Sequence, residues 1–259
     1  MSASARPPEG SATLPEAASG LHVAHEDGVA RLTLDRPQLG NALSAELVEA
    51  LLAALAQAEA TAGIHTVLLR GNGRHFCTGF DLSTLDAQSD GDLLHRFVRV
   101  ETLLAALWHS PLRTAVLAQG RTWGAGADLV AACESRAAAA RASFRFPGAR
   151  FGLVLGTRRL AERIGADRAR RWVLDGHEAP AAEACAAGLV ESVLAEGDED
   201  GWCAALRESS AVAPATAARL RMATRLDARD HDLAALVRSA ADPGLRERIR
   251  AYVAQNKKS

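Results

Sequence analysis

The sequence comprises 259 residues, of which 48% are apolar and 24% charged, and its formal net charge is −1. This composition is typical of a globular protein, and a chain of this length can bury a core without disulfides or a structural metal ion. The balanced charge provides no field that would attract nucleic acid or a membrane surface, so we expect neither as a partner.

The cysteines and the amino-terminal segment bear on the cellular compartment. The four cysteines are widely separated and form no CxxC pair, which argues against a metal site and suits a reducing interior. No apolar run is long enough to cross a bilayer. Residues 1–19 are rich in Ser, Ala, Pro and Gly and lack the apolar stretch of a secretory signal. We therefore expect a disordered leader and a cytoplasmic protein.

The first elements alternate between strand and helix. Two strands are predicted over residues 21–25 and 29–34, joined by a tight turn. Ser44 is typical of a helix cap, and leucines at helical spacing extend that helix to about Gly63. A short buried strand follows over residues 67–69. This order of strand, helix and strand predicts a right-handed parallel crossover and therefore an α/β fold.

A second unit of the same kind comes next. The sequence predicts a helix over residues 92–108, a strand over 114–118, a further helix over 126–133, and short strands over 137–142 and 143–146. After these strands the pattern is almost entirely helical. The predicted helices cover residues 157–164, 166–174, 179–187, 199–210, 214–225 and 230–255.

Two glycine-bearing loops, each predicted to follow a strand and to lead toward a helix, are the candidates for chemistry. The first is residues 76–82, FCTGFDL, and the second is residues 124–128, GAGAD. Small residues let the backbone approach a ligand closely, and N–H groups at a helix start are unpaired and carry partial positive charge. One N–H from each loop could therefore hold a developing oxyanion. A purely structural role remains open for either loop alone, whereas a dinucleotide fingerprint or P-loop is excluded, since GxGxxG and a P-loop lysine are missing.

Several short motifs, in order along residues 21–255, resemble the crotonase superfamily, the enoyl-CoA hydratase/isomerase superfamily. The matching stretches are Leu34-Asp35-Arg36-Pro37 with Asn41-Ala42-Leu43-Ser44, residues 67–73 and 76–82, residues 123–128, Ala132-Cys133-Glu134-Ser135-Arg136, Phe144-Arg145-Phe146-Pro147, residues 155–160, and residues 184–190, which end in Gly188-Leu189-Val190. The resemblance implies a crotonase-like β/α spiral core over residues 20–200, followed by a helical trimerisation region over 201–259. It also implies a homotrimer or a dimer of trimers.

The resemblance further implies the roles of individual residues. Phe80 and Ala125 would supply the two oxyanion N–H groups to an acyl-CoA thioester, as in fatty acid metabolism. Coenzyme A, here part of the substrate, would contact Gln38, Leu39, Gly40, Thr78, Asp81 and Leu82. No metal ion and no separate cofactor are implied.

Two positions depart from the hydratase pattern. Asp128 stands where the hydratases have their first catalytic glutamate and could hold water or move a proton, although an acidic residue in a first helical turn also has a purely structural explanation. Gly148, after Pro147, stands where the second glutamate is expected. A glycine there is similar to the naphthoyl-CoA synthase branch, in which bicarbonate is thought to replace the carboxylate.

The missing second carboxylate leaves the reaction open. Arginines nearby could pair with Asp128 and lower its pKa, could bind a substrate carboxylate or bicarbonate, or could face solvent or another subunit; they are Arg145, Arg150, Arg158 and Arg159. We expect hydration, dehydration or double-bond isomerisation of an acyl-CoA. The alternatives are a binding protein with lost or altered activity, and other thioester chemistry such as hydrolysis or a Claisen-type reaction.

Overall fold

The protein, described here by a computed structural model, contains nine short strands and ten helices within residues 19–208 and 210–256. The predicted leader thus lies outside the described residues, apart from Ser19. The strands are β1 (Leu21–Glu26), β2 (Val29–Leu34), β3 (Thr66–Gly71), β4 (Arg113–Ala118), β5 (Arg121–Trp123), β6 (Ser135–Ala139), β7 (Ser143–Arg145), β8 (Glu178–Pro180) and β9 (Ser192–Leu194).

Along the chain, helices alternate with the strands and then make up most of the carboxyl-terminal third. They are α1 (Ala45–Ala60), α2 (Asp90–His109), α3 (Ala125–Ala132), α4 (Thr157–Ile164), α5 (Ala166–Asp175), α6 (Ala181–Ala187), α7 (Glu199–Ala205), α8 (Pro214–Ala223), α9 (Arg229–Ala240) and α10 (Leu245–Asn256). Ser44 caps α1 as predicted, because its hydroxyl accepts a hydrogen bond from the Leu47 N–H at 3.2 Å.

A six-stranded sheet in the order β1-β2-β3-β4-β6-β9 organises the core. Strands β1 and β2 form an antiparallel hairpin, and every other neighbouring pair in this sheet is parallel. A second sheet has the order β5-β7-β8. The predicted α/β class and the parallel crossovers through α1 and α2 are therefore confirmed.

Two features differ from the sequence prediction. The single helix predicted over residues 230–255 is two helices, because Pro243 cannot donate a helical hydrogen bond and Gly244 has a φ of +78°. The sequence also did not predict β5, β8 and β9. Each is only three residues long, which is too short to establish an alternating pattern.

Helix α3 is buried on all sides. All eight of its residues are buried, and Asp128 is the only charged residue among them. A helix without a polar face is stable only inside a core, because no side of it can be exposed to water without losing apolar contacts. The fold therefore places one carboxyl group inside an otherwise apolar element.

Helices α9 and α10 pack back onto α2 of the same chain. Their contact is an apolar cluster that includes Leu93 and Phe97 of α2, Leu236 of α9 and Ile249 of α10. The Asp90 carboxylate accepts hydrogen bonds from the backbone N–H groups of residues 244, 245 and 246 at 2.9–3.1 Å. These bonds, first among them the one from Arg246, lower the pKa of Asp90. One acidic side chain thus anchors the start of the last helix.

Candidate active site

The two predicted loops meet at one edge of the large sheet. Strands β3 and β4 are parallel neighbours, so the segments that follow their carboxyl ends emerge side by side. The Phe76 N–H donates to the Gln119 carbonyl at 2.7 Å, and the Trp123 N–H donates to the Cys77 carbonyl at 3.0 Å. Only the second loop opens directly into a helix, α3. The first reaches α2 through irregular chain and one 3-10 turn, Leu85–Ala87.

Glycine is required where the loops touch. A β-carbon on Gly126, in the first turn of α3, would overlap the carbonyl oxygen of Cys77. Gly79 has a φ of +108°, and a β-carbon there would lie 3.0 Å from the Trp123 carbonyl oxygen and 3.6 Å from the Ala125 nitrogen. Any larger residue at either position would push the loops apart or strain the backbone.

The carbonyl groups of the two loops fix where the neighbouring N–H groups point. The Gly79 carbonyl accepts from the Leu43 N–H at 2.8 Å, and the Gly124 carbonyl accepts from the N–H groups of Ala127 and Asp128 at 2.9 and 3.0 Å. In a trans peptide the N–H points opposite to the carbonyl, so the N–H groups of Phe80 and Ala125 point away from these partners. Within residues 19–208 and 210–256, neither N–H has a hydrogen-bond acceptor.

The side chain of Phe80 is held by α2. Its ring stacks on the ring of Phe97 with a centroid separation of 4.2 Å. The guanidinium of Arg96, also on α2, lies 4.0 Å from the centroid of the Phe80 ring. Arg96 also donates to the carbonyl oxygens of Asp81 and Leu43 at 2.9 and 3.3 Å. These contacts fix the backbone directly after Phe80 and the paired segment at Leu43.

A cavity of about 130 Å³ opens between the loops and the carboxyl-terminal elements. Phe80 and Ala125 border it from the loops, Asp128 borders it from α3, and Tyr252 borders it from α10. The remaining wall is mainly aromatic and aliphatic, as expected of a site that binds an organic group away from water.

Asp128 is the residue of the second loop that brings an ionisable side chain to this cavity. The residue is 5% exposed, and no donor within the described ranges reaches its Oδ1. Burial, and then the negative charge of Glu101, raise the pKa of Asp128 well above its ordinary value, while Arg159 opposes the shift. A β-carbon on Gly156 would overlap this carboxyl group, so only glycine at position 156 leaves room for the Asp128 side chain.

A buried ion pair that the sequence analysis did not single out lies behind Asp128. Arg159 of α4 is 1% exposed and donates to both carboxylate oxygens of Glu101 on α2, at 2.7 and 3.1 Å. Its Nη2 also lies 3.3 Å from Asp232 of α9. Glu101 stands four residues after Phe97, on the apolar face of the predicted helix, and this position was the signal that could have revealed it.

We expect Glu101→Gln to lower the free energy of unfolding by about 3 kcal/mol. Removing one partner of a buried pair leaves an uncompensated charge at a cost of ~3–5 kcal/mol, and Asp232 still faces Arg159, which favours the low end. Urea denaturation measures the change. The matched control is Glu49→Gln on α1. It breaks the partly exposed pair with Arg99 of α2, the helix that also carries Glu101, and should cost less than ~1 kcal/mol. Equal losses in the two variants would contradict the role of the buried pair.

Gly148 lies on the cavity wall, in the 3-10 turn Pro147–Phe151. A β-carbon there would meet only Leu153, at 3.6 Å or more, so the space would admit a side chain. The arginines predicted as possible partners of Asp128 bind elsewhere. Arg145 and Arg150 donate to the carbonyls of Gly176 and Asp175, and Arg158 pairs with Asp232 and Glu162. Burial and the negative charge of Glu101 outweigh the opposing charge of Arg159, so the pKa of Asp128 is raised rather than lowered.

The residues expected to contact coenzyme A come together beside the first loop. The Thr78 N–H donates to the Gly40 carbonyl at 2.9 Å, which places the exposed Gln38 and Leu39 next to this loop. Thr78 and Leu82 border the cavity. The Asp81 carboxylate is already engaged by Arg36 and by the Ser83 N–H, both at 2.9 Å, so contact with a ligand would come from its backbone.

Residues 24–241 match the family described as Enoyl-CoA hydratase/isomerase. The chain belongs to the enoyl-CoA hydratase/isomerase family. The match covers most of the chain and includes both loops, Asp128 and Gly148.

Relatives of this enoyl-CoA hydratase/isomerase family member include a protein of Rhodobacter capsulatus named "Probable enoyl-CoA hydratase". It is 36% identical over 182 residues, which cover 68% of this chain and 69% of that one. A crystal structure from Bordetella parapertussis, described as an enoyl-CoA hydratase/isomerase, is 44% identical with a TM-score of 0.88 and covers 91% of this chain and 98% of that chain. An enoyl-CoA hydratase from Mycobacterium avium subsp. paratuberculosis is 26% identical with a TM-score of 0.78, covering 91% and 96%. These relatives support an enzyme of this type.

Among the residues that the structure describes, no group of His, Cys, Asp and Glu side chains is arranged to hold a metal ion. Within the same residues, none of the helices has the length and apolar character needed to cross a membrane.

Proposed function

We propose that this protein transforms acyl-CoA thioesters and holds the thioester oxygen between the N–H groups of Phe80 and Ala125. The observation that carries the proposal is that these two N–H groups, on touching loops, have no acceptor in the described chain and belong to residues that border the cavity together with Asp128. Removal of an α proton from a thioester places negative charge on its oxygen. Two fixed donors stabilise that charge, and each such donor typically contributes ~2.7–4 kcal/mol.

Asp128 is the proposed proton-transfer group. Its raised pKa makes its carboxylate a stronger base than an exposed aspartate, and a pKa nearer the working pH is favourable for general acid–base catalysis. The carboxylate would take a proton from the carbon next to the thioester, and the electron pair would move into the enolate held by Phe80 and Ala125. The resulting acid would then return the proton to a carbon of the same substrate.

A single carboxyl group favours double-bond isomerisation over hydration as the reaction. Isomerisation needs one group that moves a proton between two carbons, whereas addition of water is helped by two carboxylates that share the water. Gly148 stands where the hydratases have their second catalytic glutamate, so this position has no carboxylate. The same glycine supports the alternative proposal, an acyl-CoA-binding protein whose activity is lost or altered.

The experiment is a spectrophotometric assay with 2-enoyl-CoA and 3-enoyl-CoA esters. Isomerisation converts the 3-enoyl ester to the conjugated 2-enoyl ester and increases absorbance, and hydration of the 2-enoyl ester decreases it. Turnover of the 3-enoyl ester supports the proposal. Binding of both esters without turnover, measured by titration calorimetry, supports the alternative, and the failure of both esters to bind would refute both.

We also propose that the protein assembles as a homotrimer or a dimer of trimers in a cytoplasmic setting. Leu220 and Met222 of α8 and Leu226, which follows it, are 54%, 72% and 65% exposed, so three large apolar side chains within a short stretch of sequence face solvent. We expect light scattering to give a mass three or six times 27.2 kDa. Met222→Asp should reduce this mass, whereas Thr216→Asp, which introduces the same charge at an exposed position of the same helix, should not. A monomeric wild-type protein would contradict the proposal.

A further inference from the structure

One side of the cavity is bordered by helix α10, which is distant in sequence from the two loops. Tyr252, the only tyrosine of the sequence, lines the cavity, and its ring lies 5.2 Å from the ring of Phe151. Arg248, one turn earlier, donates to the Phe151 carbonyl at 3.0 Å. Together with the Asp90 cap, these contacts hold α10 and the segment around Phe151 as one wall.

The wall is almost entirely apolar. Besides Phe151 and Tyr252 it contains Phe97, Phe146, Leu153 and Leu155. Phe97 and Leu153 belong to the apolar cluster that joins α2, α9 and α10, so this side of the cavity is supported by close packing. A longer ligand would have to displace this cluster.

The size of the cavity limits the acyl group. Its volume is about 130 Å³. An apolar protein cavity of about 150 Å³ holds one benzene molecule, which has six carbon atoms. The space between the two loops and Tyr252 therefore corresponds to an acyl group of about four to six carbons.

We propose that this site selects short acyl groups, of about six carbons or fewer, and that the ring of Tyr252 on α10 sets the limit. The inference rests on the proposed acyl-CoA function and names its substrate class. Tyr252 is thus a specificity-determining residue, and its bulk, rather than its hydroxyl group, is the property that acts.

The test measures the binding of saturated acyl-CoA esters, which have no double bond to react, by titration calorimetry. We expect affinity to rise about fourfold per methylene from butanoyl-CoA to hexanoyl-CoA, which corresponds to ~0.8 kcal/mol per buried methylene, and to fall from hexanoyl-CoA to decanoyl-CoA. Tyr252→Ala should improve decanoyl-CoA binding by about tenfold or more. Tyr252→Phe should keep the wild-type order of chain lengths, as should Gln255→Ala, a change at an exposed position of the same helix.

The outcomes separate the two proposals. Tighter binding of decanoyl-CoA than of hexanoyl-CoA to the wild-type protein overturns the short-acyl inference, and so does an unchanged chain-length order in Tyr252→Ala. If short esters bind in the expected order but no enoyl-CoA is converted, the inference stands and the proposed catalysis fails. If none of the esters binds, both are overturned.

Discussion

Asp128→Asn is expected to reduce the turnover of an enoyl-CoA by about 10²- to 10⁴-fold, the usual contribution of a general acid–base group. The amide has the same shape as the carboxyl group but cannot accept and return the proton. The proposed oxyanion donors belong to the backbone of Phe80 and Ala125 and should be unaffected, so the Kd for the substrate should change little. Steady-state assays and calorimetry measure the two quantities, and a fully active variant would refute the assigned role.

The pH dependence of activity and stability provides a further check on the same residue. If the Asp128 carboxylate is the base, kcat/KM should rise as pH increases through the pKa of Asp128. The midpoint of this rise should lie above the ordinary aspartate pKa of 3.8. The raised pKa also means that the folded state binds more protons than the unfolded state between 3.8 and the folded pKa, so stability falls as pH rises through that window. Asp128→Asn should remove this fall and be at least as stable as wild type at neutral pH.

Gly126→Ala is expected to reduce kcat by about 10²- to 10³-fold, comparable to the loss of one oxyanion donor. The added methyl group would overlap the Cys77 carbonyl oxygen, so α3 and the first loop must separate. That separation moves the Ala125 N–H away from the Phe80 N–H. Steady-state kinetics measures the effect, and titration with an unreactive acyl-CoA shows whether binding of the rest of the ligand persists.

The control for this variant is Gly201→Ala. Gly201 also lies within a helix, α7, but a β-carbon there meets no atom within 4 Å. Since alanine is the better helix former, Gly201→Ala should be as stable as wild type or slightly more so, with unchanged kinetics. Wild-type kinetics in a folded Gly126→Ala protein would show that the close contact of the two loops is unnecessary for the chemistry.

The regular part of the fold could be predicted because its signals are local. The alternation of the strands, the Ser44 cap and the leucine spacing of α1 each lie within a few residues. The break between α9 and α10 was also visible in the sequence as Pro243-Gly244, and the prediction of one continuous helix overlooked it. The pairing of β5, β7 and β8 depends on contacts between distant segments, which three-residue strands cannot signal.

The candidate site could be predicted only where local backbone geometry determines which residues are allowed. The sequence predicts the two loops and Asp128, because glycine and helix starts carry their own constraints. It does not predict that Arg159 turns inward to Glu101, because that pairing depends on how α2 and α4 pack. The direction of the Asp128 pKa shift depends first on the burial of α3 and then on the position of Glu101, and no local motif reports either one.

The attachment of the last helix has a consequence for how this protein can diversify. Helix α10 is held by the Asp90 cap, by Arg248 and by one apolar cluster, and it contributes no strand to either sheet. Elements of this kind can open locally at a free energy well below that of global unfolding. If α10 limits the acyl group as proposed, exchanges within it would change ligand preference while the loops that carry Phe80 and Ala125 keep their geometry, so selectivity and reactivity would evolve along separate stretches of the chain.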